Sequence, residues 1–151
     1  MTTVPIELIE RVRTPAAVVR GHVTVPEIAG FLGTAFTDVL ELLERQHREP
    51  AGPPFARYRP TGDGFDVEAG FPSSAPVDPI GSVMPAELPE GLAATAVHRG
   101  SYETVDETCD AVAAWMTAHG YRPAGDAWES YLSGPGVAEP RTLVTVPCVA
   151  G

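Results

Sequence analysis

The stretch AVHRGSYETVDET, residues 96–108, has an earlier counterpart in VVRGHVTVPEI, residues 18–28. Arg-Gly stands in both, and Thr-Val-x-Glu follows in both once one inserted residue is allowed. A second pair keeps the same order. PAGPPFARY, residues 50–58, runs against PAGDAWESY, residues 123–131, with Pro-Ala-Gly, an aromatic residue and a closing tyrosine in register. The chain is one unit used twice.

Each copy has a physical reading. The Val- and Ala-rich runs Ala16 to Val19 and Leu92 to Val97 have the length and composition of core strands. Thr24 with Glu27, and Thr104 with Glu107, show the S/T-x-x-E spacing that satisfies free amides at a helix start. Ile28, Leu32, Ala35, Val39 and Leu42 then recur at helical spacing, as do Val105, Cys109, Val112 and Met116. Gly120, preceded by His119, predicts the end of the second helix. Gly30 and Gly33 predict for the first helix either an irregular start or the close approach of another backbone.

Two strands follow each helix: FARYRP and GFDVEAGFP in the first copy, WESYLSG and TLVTVPC in the second. Gly62 to Gly64 and Gly134 to Gly136 are placed to turn them. The unit is β-α-β-β, twice. The prolines of SSAPVDPIGSVMPAELPEG predict an extended connector with at most short strand pieces. The expected fold is α+β: a duplicated β-α-β-β module with pseudo-twofold symmetry, an antiparallel sheet with two helices on one face, and a cleft between the copies. A single domain is expected over residues 1–151, with copy one at about 4–73, the connector at about 74–90 and copy two at about 91–149.

Composition fits that size. At 151 residues, 44% hydrophobic and 20% charged, the chain lies in the range of one globular domain. Its apolar runs fall short of the ~20 residues that cross a bilayer, and MTTVPIELIERVR alternates like a strand rather than a leader, so no membrane and a cytoplasmic location are expected. Cys109 and Cys148 have neither CxxC spacing nor clustered histidines, so no metal, cofactor or disulfide is expected. A net charge of −10 opposes a phosphate backbone and favours cationic ligands over nucleic acid.

Chemistry concentrates in AWESYL, residues 127–132. Alternation points Ala127, Glu129 and Tyr131 one way and Trp128, Ser130 and Leu132 the other. Tyr58 is the first-copy equivalent of Tyr131, whereas Glu129 is matched by Ala56, as though a site had been built on one copy only. The plainer alternative is a surface glutamate paired with an arginine such as Arg57. His98 and Tyr102 flank Arg-Gly at the strand-to-helix junction and are candidate lining residues; for His98 the alternative is a hydrogen-bonded structural role. Trp128 and Phe55 are expected in the core, with Trp115 at the edge of the helix stripe. No serine lies in G-x-S-x-G context, and no Gly-rich phosphate loop precedes a helix.

LPEGLAATAVHRGSYETVDETCDAVAAWMTAHGYRPAGDAWESYL followed by TLVTVPC resembles the GyrI-like small-molecule-binding family, which supplies effector-binding domains to AraC-type and MerR-type regulators of multidrug response. PPFARYRP and FDVEAGFP extend the likeness more loosely over the first half. The resemblance implies a ligand cleft between the copies, in which Glu129 meets hydrophobic, cationic or electrophilic ligands among Tyr131, Tyr58, His98 and Tyr102. VPIELIERV, strand-like from residue 4, leaves no room for a preceding helix-turn-helix, so a stand-alone binder without DNA contact is expected. Two alternatives come with the family. One is a hydrolase of strained-ring or ester natural products, with Glu129 and Tyr131 catalytic; the other is a protein antagonist of the gyrase type, whose protein partner the sequence does not name.

Overall fold

The computed structural model describes residues 5–133 and 137–151, so the turn expected at Gly134 to Gly136 lies outside the described residues. In chain order the elements are β1 (Ile6–Arg11), β2 (Thr14–Val23), α1 (Ile28–Arg45), β3 (Phe55–Pro60), β4 (Phe65–Pro72), β5 (Val83–Leu88), β6 (Gly91–Arg99), α2 (Val105–Ala118), β7 (Tyr121–Pro123), β8 (Trp128–Tyr131) and β9 (Arg141–Ala150). The class is α+β, with antiparallel strands and two helices. The chain divides into two compact units, Arg13–Pro89 and Met1–Val12 with Glu90–Gly151.

In the first unit β3, β4, β2 and β5 lie side by side, every pair antiparallel. Helix α1 buries Ala35, Val39, Leu42 and Leu43. Val39, Leu42 and Leu43 pack with Ala17 and Phe71 of the sheet and with Val77 and Val83. Each such side chain contributes about 1.5–3 kcal/mol when taken fully out of water. Gly30 and Gly33 face open space, so no backbone approaches them. The irregular start is what occurs: a 3-10 turn, Val25–Glu27, precedes the helix, and the backbone amide and hydroxyl of Thr24 both donate to Glu27 Oε1 at 2.8 Å.

The second unit orders its strands β1, β6, β9, β8, with β7 pairing the far end of β9. Helix α2 lays Val105, Val112 and Met116 on Ala94 and Ala96 of β6 and on Val144, Val146 and Cys148 of β9. It ends as the sequence predicts, with Gly120 at φ +80°, a conformation in which a side chain would be strained. On the opposite sheet face Trp128 is buried, with the Arg11 guanidinium 5.0 Å from its ring centroid. Near the C-terminal end of α2 the Trp115 ring stacks with those of His119 and Tyr121.

The structure departs from the sequence reading in three places. The connector contributes a full six-residue strand, β5, in which Pro85 is tolerated because β5 pairs β2 along one side and needs no donor from that residue on the other. The expected capping box of Thr104 and Glu107 is replaced by Ser101, whose hydroxyl accepts from the Glu103 amide at 3.1 Å to open a 3-10 turn, Tyr102–Thr104, ahead of α2. The unit edges also differ from the copy edges. Strand β1 falls within the residues expected for the first copy but pairs β6 of the second, while β5, in the connector ahead of the second copy, pairs β2 of the first.

Candidate functional site

Register fixes which side chains share the helix face of the second unit. Glu129 lies opposite Val144, and Tyr131 opposite Thr142, which is in turn opposite His98. Val144 is in the core beneath α2, so Glu129 and Tyr131 also face the helix side. Two residues apart on one strand face, they are close enough for the Tyr131 hydroxyl to donate to Glu129 Oε1 at 3.1 Å. Tyr102, on the 3-10 turn before α2, places its ring edge-to-face on Tyr131 at 5.9 Å between centroids. Glu129, Tyr131 and Tyr102 therefore form one acidic, aromatic cluster.

Burial raises the Glu129 carboxyl above its ordinary pKa, and the Tyr131 hydrogen bond and the His98 imidazole oppose that rise without cancelling it. No arginine of the described residues forms an ion pair with it. Arg57 instead pairs with Glu68, its register neighbour on the first unit's sheet, and Arg20 holds the same carboxylate at 2.7 Å. On α2, Cys109 is pushed up to about 11, first by burial and then by the Glu129 charge, so it stays a neutral thiol.

His98 is beside the cluster but turned into the fold. The Ser101 carbonyl can only accept, so Nε2 donates to it at 2.9 Å, and Nδ1 is hydrogen-bonded to Thr108 Oγ1 at 2.7 Å. Thr104 Oγ1, 3.0 Å from Nε2, donates to the same carbonyl. Both ring nitrogens are thus committed to holding the start of α2. Tyr58 belongs to the first unit, where its ring meets Phe65 edge-to-face at 6.0 Å. Trp128 and Phe55 are core residues, 2% and 0% exposed. One polar residue on the Glu129 face was not singled out by sequence: Thr142. Its signal was available, since Thr142, Val144 and Val146 alternate onto the helix face of TLVTVPC. Among the described residues no group of three or more His, Cys, Asp or Glu is placed to hold a metal ion, and no helix is long and apolar enough to cross a membrane.

Residues 5–148 match the family described as the GyrI-like small molecule binding domain, and the chain belongs to that family. No curated protein matches the sequence. Among solved structures the fold is similar to EcmrR, seen by cryo-EM in a DNA complex, with TM-score 0.86 and 17% identity over 100% of this chain and 59% of that one. The chain thus spans less than two thirds of the EcmrR chain. It is also similar to a hydrolase from Listeria innocua (TM-score 0.68, 14% identity, 95% of this chain and 91% of that one) and to SAV2435 bound to tetraphenylphosphonium (TM-score 0.62, 12% identity, 96% and 94%). At these identities the likeness is one of fold.

Proposed function

We propose that the chain binds hydrophobic cations, with Glu129 as counter-charge and Tyr131 and Tyr102 as aromatic wall. The observation that carries this is a half-buried carboxylate with a phenol for its hydrogen-bond partner and no arginine paired to it among the described residues. Burial makes its charge costly, and a cation at about 4 Å returns up to ~4 kcal/mol at an effective dielectric of 20. A tyrosine face adds about 0.5–2 kcal/mol of cation-π attraction. The bound tetraphenylphosphonium of SAV2435 is a ligand of this chemical kind. With a net charge of −10, the partner is a small molecule rather than nucleic acid.

The test is a fluorescence titration with a cationic aromatic dye and a neutral analogue of the same shape. Glu129→Gln is expected to weaken the cation about tenfold or more and to leave the neutral dye within twofold. Equal losses for the two dyes would remove the counter-charge role.

A second reading has its own observation. The Tyr131 hydroxyl and the Glu129 carboxyl are in hydrogen-bond contact, and the carboxyl is shifted towards the range of a general acid or base, so the pair is also suited to hydrolysis of an electrophilic ligand.

A further inference from the structure

The two units carry the same strand positions, and their contents can be compared one by one. Facing the helix side, the first unit has Ala56, Tyr58, Val67 and Gly21, with Tyr58 opposite Val67 and Gly21 also opposite Val67. The second unit has Glu129, Tyr131, Thr142 and His98 in the corresponding places. In the first unit the vacancy at Gly21 is filled by Phe31 of α1, whose ring lies 2.6 Å from where a Cβ would stand. One unit closes the spot with hydrocarbon, and the other lines it with hydrogen-bonding groups.

Three of the four groups in the second unit have partners. His98 is held by Thr108 and Ser101, and Glu129 and Tyr131 hold each other. Thr142 is 0% exposed, and its hydroxyl is buried with no hydrogen-bond partner among the described residues. Valine, which the first unit carries at position 67, has the same shape without that cost. Glu129 and Thr142 are diagonal neighbours across the β8–β9 pair, which sets such residues about 7–8 Å apart. A single ammonium nitrogen touches two oxygens when they lie within about 6 Å of each other, and side chains that share a sheet face at such diagonal positions can bring their oxygens within that span.

We propose that Thr142 is a specificity-determining residue: its hydroxyl accepts an N–H from the cation that Glu129 neutralises, so that protonated amines are preferred over quaternary ammonium or phosphonium ions of the same shape. This rests on the cation reading of the Glu129 face and narrows it to a ligand class. Thr142 is closed to solvent, so binding requires entry beside its cross-strand neighbour Tyr131, whose ring meets that of Tyr102, a residue half exposed on a three-residue turn.

The experiment titrates a tertiary aromatic amine, protonated at the working pH, and its N-methyl quaternary analogue against wild type, Thr142→Val, Thr142→Ser and Glu129→Gln. Wild type is expected to favour the amine about tenfold. Thr142→Val is expected to abolish the preference while leaving the quaternary ion's affinity unchanged, and Thr142→Ser to retain it. Thr142→Val removes an unpaired buried hydroxyl, so its unfolding midpoint is expected to be no lower than that of wild type. Equal affinities in wild type, or equal weakening of both ligands by Thr142→Val, would overturn the Thr142 role while the Glu129 dependence stands. Cation binding that is absent, or indifferent to Glu129→Gln, would overturn both.

Discussion

Glu129 is held in a form the fold does not favour. Burial raises its carboxyl above the ordinary value, so between that value and the raised one the folded chain carries more protons than the unfolded chain. Stability is therefore lost as pH rises through that window and stays lower above it. Glu129→Gln, which does not titrate and keeps an acceptor for the Tyr131 hydroxyl, is expected to be more stable than wild type at pH 7. The advantage should narrow as pH falls through the carboxylate range. Urea unfolding of both proteins at several pH values checks it; a constant difference would mean that the charge is not what the fold resists. A bound cation reverses the balance, so binding should tighten with rising pH over the same window and then level off. Period-two alternation made the shared face of Glu129 and Tyr131 legible in the sequence. It could not reveal that Arg57 is held by Glu68, because that pairing depends on the register of β3 with β4.

The start of α2 shows how far local patterns go at the scale of an element. Val105, Val112 and Met116 were legible as a helical stripe, and Gly120 as its end, because both signals are properties of neighbouring residues. The capping residue was misread because the Thr104 hydroxyl has a stronger use: it lies against His98, ten residues from Thr108, in a knot that ties β6 to the 3-10 turn and to the helix. Such a knot exists only once the strand and helix are packed. It also explains the burial of His98, which spacing alone left open between a lining and a structural role. His98→Ala removes two hydrogen bonds and strands the hydroxyl of buried Thr108, a loss of about 1–3 kcal/mol. Hydrogen exchange is expected to speed up first at the amides of residues 103–108, with those of β9 following only at the global unfolding rate. Uniform acceleration would show that the knot does not act locally.

In the whole molecule, the repeat was legible but its strand exchange was not: β1, at the start of the first copy, completes the sheet of the second, β5, in the connector, completes that of the first, and non-local pairing leaves no mark in a repeat alignment. What the repeat does carry is the asymmetry. Placing Glu129 and Thr142 in one copy against Ala56 and Val67 in the other, with a tyrosine kept in both, concentrates chemistry in the second unit, where holding a ligand and transforming it make different demands on the carboxylate. A counter-ion need only be ionised beside its ligand, so a binder returns the ligand unchanged after long incubation and saturates without product. A general acid or base must pass a proton in the slow step, so a hydrolase consumes an electrophile at a rate that follows the titration of Glu129. Binding without turnover is the expected outcome for inert aromatic cations. Mass spectrometry of strained-ring and ester compounds incubated with wild type, Glu129→Gln and Tyr131→Phe decides the matter. Multiple turnovers that vanish in Glu129→Gln, with the affinity of that variant for an inert neutral analogue intact, would replace the binder with a hydrolase; an unchanged panel in all three proteins would leave the carboxylate its electrostatic role alone.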